Sequence, residues 1–147
     1  MTFYFDTSFL APLILEEATS AAVERFLAGL PVESLAISHW TRVEFSSLLA
    51  REVRMGAMDP RIALDADQQF EAIIGESFAV FVPAVDDLEL AKRYLAEPRT
   101  GLRAGDALHL AIASNNGAEA VYSLDKTLLR AGKTIGLPVR AGIQVSD

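Results

Sequence analysis

Five short runs of aromatic, aliphatic and β-branched residues punctuate the chain, and the segments between them carry their apolar residues at helical spacing. Strands separated by helices lie parallel, because only a crossover long enough to hold a helix brings the next strand back in the same direction. The runs are Thr2–Phe5, Leu35–Ser38, Phe78–Val82, Ala120–Ser123 and an edge strand after Pro138, which predicts an α/β fold with a central, mainly parallel sheet flanked by helices. Helices are expected over Phe9–Leu15, with Pro12 tolerated near the first turn and Thr7 and Ser8 offering caps. Further helices are expected over Ala21–Ala28, Thr41–Met55, Asp59-Pro60 to Ile74, Asp86 or Asp87 to Leu95, Asp106–Asn115 and Lys126–Ala131. No linker, repeat or low-complexity tract interrupts them, so residues 1–147 are expected to form a single domain.

Ligands of open parallel sheets bind beyond the carboxyl ends of the strands, so residues following the strands are the ones to inspect. Asp6 directly follows the first strand, and Asp125 follows the fourth after Leu124. Glu44 lies one turn into the helix after the second strand, and Asp106 opens the helix behind the loop EPRTGLRAG, Glu97–Gly105. Each acid also has a purely structural reading: Asp6, Asp106 and Asp125 as helix caps favoured by the helix dipole, Glu44 as a solvated helix residue. Taken together they suggest one pocket, with the Ser8 and Ser123 hydroxyls close enough in sequence to orient Asp6 and Asp125. Clustered carboxylates repel, and a hard divalent cation such as Mg²⁺ or Mn²⁺ resolves the repulsion through oxygen ligands. Zinc is disfavoured, since the chain has no cysteine and only two histidines, neither in an HExxH spacing. His109, inside the apolar stretch Ala107–Ala113, reads as a packed, hydrogen-bonded residue in preference to a ligand or base. His39 and Trp40 could border the pocket but read first as packing residues ahead of the Thr41 helix.

The segments FDTS (Phe5–Ser8), VEFSSLLAR (Val43–Arg51), LRAGDALHLA (Leu102–Ala111) and SLDKTLLRAG (Ser123–Gly132), in that order, resemble the PIN-domain family. Within it they resemble the toxin ribonucleases of bacterial type II toxin–antitoxin systems, and the resemblance covers the whole chain. It implies that Asp6 and Asp106 are central metal ligands, Glu44 and Asp125 flanking or second-ion ligands, and Ser8 an orienting hydroxyl. Asp125 matches the most variable of the family's acids. The implied activity is Mg²⁺- or Mn²⁺-dependent hydrolysis of RNA phosphodiesters, leaving 5′-phosphate and 3′-hydroxyl ends. The implied partners are the RNA substrate, a second copy in a homodimer, and a cognate antitoxin that blocks the acidic pocket. The competing reading is a non-catalytic PIN-fold interaction module, suggested by large apolar residues on the first two helices and the Pro60 helix: Leu13, Phe26, Leu27, Ile62, Phe70 and Ile73. Haloacid-dehalogenase-like phosphatases want a second Asp where Ser8 stands, and receiver domains want a phosphoacceptor where the third strand ends in Val82-Pro83.

Charge bears on the substrate. With 13 Lys and Arg against 20 Asp and Glu the chain is at −7, which by itself discourages nucleic acid. The charge is uneven, however: residues 1–90 carry 5 basic and 15 acidic groups, residues 91–147 carry 8 and 5. Arg99, Arg103, Lys126 and Arg130 are candidate phosphate contacts because they lie near Asp106 and Asp125, with plain surface charge the equal alternative for each. The longest apolar run, Phe78–Val85, has eight residues against the roughly 20 that span a bilayer, and no basic region precedes the first apolar stretch. Together with the absence of cysteine, this leads to the expectation of a cytoplasmic protein without a membrane anchor.

Overall fold

Phe3, Tyr4 and Phe5 of the first strand point alternately to opposite faces of the sheet, so both faces must be covered by apolar helices. In the computed structural model, which describes residues 1–145, they are. The strands β1 (Phe3–Phe5), β2 (Leu35–Ser38), β3 (Ala79–Phe81), β4 (Ala120–Tyr122) and β5 (Val139–Arg140) form one sheet in the order β3-β2-β1-β4-β5, every pair parallel. The helices are α1 (Thr7–Leu10), α2 (Ser20–Ala28), α3 (His39–Arg54), α4 (Pro60–Ser77), α5 (Val85–Leu95), α6 (Ala104–Asn115) and α7 (Lys126–Thr134), with 3-10 turns at Ala11–Leu13 and Val32–Ser34. None is long and apolar enough to cross a membrane.

One face of the sheet presents Phe3, Phe5, Leu35, Ile37, Ala120 and Tyr122 to helices α1 to α4. There Phe45 of α3 stacks on Phe70 of α4 with ring centroids 4.2 Å apart. The other face presents Tyr4 and Val121 to α6 and α7. Tyr4, Phe5, Phe45 and Phe70 are all essentially inaccessible, and burying each stabilises the fold by roughly 1.5–3 kcal/mol. Phe70 is thus a core residue and no part of an exposed apolar surplus, whereas Ile62 on the same helix stays 60% exposed.

The chain builds outward from β1 to β2 and β3, then crosses back to place β4 on the opposite side of β1. The connections leaving β1 and β4 therefore diverge, opening a crevice beyond their carboxyl ends.

The elements differ from the sequence expectation mainly at their ends. The first helix starts at Thr7, because Asp6 itself is the cap and accepts from the Phe9 amide at 3.2 Å. It passes into a 3-10 turn around Pro12 and does not continue to Leu15. The α5 helix begins at Val85, with Asp87 reaching back to the Ala84 amide at 2.8 Å. The α4 and α7 helices run about one turn beyond Ile74 and Ala131. The α6 helix begins at Ala104, which puts Asp106 in its first turn and makes Arg103 the cap residue.

Candidate functional site

Asp6 is placed by β1, whose last residue, Phe5, is locked into the core. Its carboxylate is 3% exposed and accepts from Ser8 Oγ at 2.8 Å on one oxygen and from Ser123 Oγ at 2.8 Å on the other. Ser123 follows β4, so these bonds tie together the ends of the two strands that border the crevice. The Ser8 hydroxyl accepts in turn from the Leu124 amide at 3.0 Å. Burial raises the Asp6 carboxyl above its ordinary value, against the opposing pull of the His109 charge and of its Ser123, Ser8 and Phe9 donors.

Asp125 caps α7, one oxygen accepting from the Thr127 amide at 2.8 Å and the Leu128 amide at 3.3 Å. The structural reading of Asp125 therefore holds, but the capping residue also lines the crevice. Asp106 does not cap α6. From the first turn of that helix it joins the crevice wall, and burial, followed by the charges of Asp125 and Asp6, pushes its carboxyl up to about 6 despite the opposing charge of His109.

Glu44 reaches the same crevice from α3. Its Oε1 accepts from Thr7 Oγ1 at 2.7 Å and meets His109 Nε2 at 2.5 Å. The other nitrogen, Nδ1, lies 2.7 Å from the Tyr4 hydroxyl, which also bonds Ser38 Oγ at 2.8 Å. His109 is 1% exposed. Burial disfavours its imidazolium, but Tyr4, the Glu44 hydrogen bond and the charges of Glu44 and Asp6 outweigh that penalty and push it up to about 10. Burial likewise works against an ionised Glu44, yet the His109 hydrogen bond and charge, then Thr7 and Trp40, hold its carboxyl below the ordinary value. His109 is thus a fully hydrogen-bonded buried imidazole behind the acids, with its protonated form favoured by their charge.

Gly105 completes this arrangement. A Cβ at that position would come within 2.7 Å of Glu44 Oε2 and 3.3 Å of the Trp40 ring. The residue that reads in sequence as the end of a loop is a spacer in the first turn of α6, leaving room for Glu44. Trp40 Nε1 lies beside the same point and is a buried side-chain donor without a geometric hydrogen bond.

The result is a cleft of about 350 Å³ lined by Asp6, Thr7, Ser8, Glu44, Ser47, Leu48, Arg51, Arg54, Asp106 and Asp125. All five residues singled out in the sequence, Asp6, Ser8, Glu44, Asp106 and Asp125, lie on it. The four candidate phosphate contacts do not: Arg99 folds back onto Glu97 at 2.7 Å, and Arg103, Lys126 and Arg130 are exposed but absent from the lining. The basic residues on the wall are Arg51 and Arg54, which come from the acidic half of the chain. Their spacing of seven and ten from Glu44 places them on the same stripe of α3, a signal present in VEFSSLLAREVR. Among the described residues no three acidic or imidazole groups converge into a ready-made metal cage. The carboxylates stand instead around an open gap, with their mutual repulsion visible in Asp106.

Comparison with known proteins gives no match among curated sequences. Among solved structures the chain is similar to VapC20 of Mycobacterium tuberculosis, described as a sarcin–ricin loop cleaving toxin, with 23% identity over 92% of this chain and 96% of that one and a TM-score of 0.71. It is similar to FitAcB of Neisseria gonorrhoeae, with 16% identity over 96% and 98% of the two chains and a TM-score of 0.76. A third similar structure, VapBC-1 of nontypeable Haemophilus influenzae, shares 15% identity over 97% and 98%, with a TM-score of 0.66. At these identities the agreement is one of fold. The PIN domain model, in contrast, matches residues 3–134, from the first residue of β1 to the last of α7 and through every acid of the cleft, and the chain belongs to the PIN domain family.

Proposed function

We propose that this PIN domain is a Mg²⁺- or Mn²⁺-dependent endoribonuclease and the toxin of a toxin–antitoxin pair. The observation that carries the reading is the meeting of Asp6, Glu44, Asp106 and Asp125, from four different elements, in one open cleft beside β1 and β4. Stability alone gives no reason to set four carboxylates around one gap, since burial and then the charges of Asp125 and Asp6 raise Asp106 and cost folding energy when it ionises. The similarity to VapC20 supports RNA as the substrate class.

The donor set fits a small hard cation. Mg²⁺ is usually held by one or two carboxylates and keeps several waters, so it needs an open group of acids and no closed cage. Asp6 and Asp106 would hold the ion, with Glu44 and Asp125 flanking it. The chemistry such an ion supplies is a more acidic water and neutralisation of the charge that develops on the phosphoryl oxygens. The chain's own part is to fix the carboxylates. Ser8 and Ser123 orient both oxygens of Asp6, Thr7 and His109 orient Glu44, and the first turn of α7 holds one oxygen of Asp125.

The proposed partners are a cognate antitoxin and a second copy of the chain. Exposed apolar residues stand ready for such contacts, among them Ile62 and Leu64 on α4 and Val85 and Leu88 on α5. They are compatible with catalysis, so the interaction-module reading adds a surface without replacing the cleft.

The test is cleavage of a labelled RNA by purified protein. Cleavage is expected with Mg²⁺ or Mn²⁺, giving 5′-phosphate ends, and is expected to stop when EDTA is in excess. Undiminished cleavage in EDTA would overturn the metal-dependent reading.

A further inference from the structure

The wall of the cleft carries two arginines that the reaction at the acids does not use. Glu44, Ser47, Leu48, Arg51 and Arg54 all line the cleft and all lie on one stripe of α3. With 1.5 Å of rise per residue, the Arg51 and Arg54 backbones stand about 10 and 15 Å along the helix from Glu44. The helix thus carries positive charge away from the acids, toward where phosphates next to the one held there would lie.

On the cleft wall neither arginine has a counter-charge among the described residues. Arg42 is held by Glu71 at 2.7 Å and Arg99 by Glu97 at 2.7 Å, whereas no ion pair engages Arg51 or Arg54 among the described residues. Two unpaired guanidinium groups on the wall of an otherwise acidic cleft, in a chain with a net charge of −7, mark the place where anionic charge is welcome. Guanidinium also matches phosphate in geometry, through paired N–H donors. A ligand that meets both ends of this cleft must place one anionic group at the acids and further anionic groups at regular distance along α3. A phosphodiester strand has that charge pattern.

We propose that Arg51 and Arg54 form a phosphate track that grips single-stranded RNA at phosphates beyond the one cleaved, with Ser47 and Leu48 as the floor between track and acids. This rests on the ribonuclease reading and deepens it. The track sets affinity and the length of strand engaged, while the acids carry the chemistry. Arg51 and Arg54 are binding residues and touch no reacting atom.

The experiment measures binding and turnover separately. Fluorescence anisotropy with a labelled single-stranded RNA, in an Asp106→Asn background that prevents cleavage, is repeated over a series of salt concentrations in Mg²⁺. Replacing both arginines, Arg51→Gln with Arg54→Gln, is expected to weaken binding by about tenfold or more. It is also expected to flatten the slope of log K against log salt by about 1.4, since each phosphate contact on a single strand contributes about 0.7. Arg61→Gln with Arg93→Gln, which removes the same charge away from the cleft, is expected to leave the slope unchanged. In the otherwise unaltered enzyme the Arg51/Arg54 double variant raises KM for RNA and changes kcat less than twofold. A slope and KM equal to those of the Arg61/Arg93 control would overturn the track and leave the nuclease reading standing. Failure of the otherwise unaltered protein either to bind or to cleave RNA in Mg²⁺ would overturn both.

Discussion

Asp106→Asn is expected to abolish RNA cleavage, with a loss on the order of a thousandfold, and at the same time to make the metal-free protein more stable at pH 8. The two effects share one cause. In the folded chain Asp106 is pushed up to about 6 from 3.8, first by burial and then by Asp125 and Asp6. Between those values the folded state holds a proton that the unfolded chain has released, so stability falls as pH rises from about 4 to 6 and stays lower above that. Asparagine cannot ionise and is exempt from this penalty. In EDTA the variant should therefore melt above the wild type at pH 8 and level with it near pH 4. Differential scanning calorimetry at the two pH values, beside a cleavage assay in Mg²⁺, checks the prediction. An active variant, or one that melts lower at pH 8, would contradict the view of Asp106 as a strained acid kept for function.

His109→Ala is expected to have the largest effect on stability. It leaves both the Tyr4 hydroxyl and Glu44 Oε1 without their imidazole partner. Breaking a buried pair from one side costs about 3 kcal/mol at the lower end of the usual range, the end that applies because Glu44 keeps 28% of its side-chain exposure. For a domain of this size that is a fall of roughly 6 to 12 °C in Tm. His109→Gln separates charge from hydrogen bonding, since its amide can donate to Glu44 and accept from Tyr4 while carrying no charge. The histidine is raised from 6.5 to about 10, so its contribution is complete below pH 6.5 and is lost as pH rises toward 10. Wild-type stability should decline over that window, and the Gln variant should recover part of the stability lost in His109→Ala while showing a flatter profile. Equal pH profiles for wild type and Gln variant would show that the imidazole is neutral in the fold and serves only as a hydrogen-bonding spacer.

What could be read from the sequence follows from how local each signal is. Asp6 and Asp125 were legible because a parallel sheet puts strand-end residues at the ligand crevice, and the strands announce themselves by composition. Asp106 was legible as a candidate but misplaced as a cap, because the true start of α6 at Ala104 has no capping side chain to mark it. His109 read correctly as a packed, hydrogen-bonded residue, yet its partners could not be named, since Tyr4 and Glu44 lie 105 and 65 residues away. Gly105 looked like loop punctuation, and only the approach of Glu44 Oε2 shows why a side chain has no room there. Net charge points to the C-terminal, basic part of the chain for phosphate contacts, while α3 delivers Arg51 and Arg54 from the acidic part. Regional charge is a property of sequence intervals, and a cleft samples one stripe from each of several elements.

The central claim is that the four acids form one metal-dependent hydrolytic centre, and Asp6 is the acid with the least structural freedom, held by Ser8, Ser123 and the Phe9 amide. The most direct measurement compares wild type and Asp6→Asn on the same labelled RNA in Mg²⁺, with circular dichroism confirming that both are folded. Cleavage by the wild type and none by the folded variant is the predicted result, whereas equal cleavage by the two would contradict the claim.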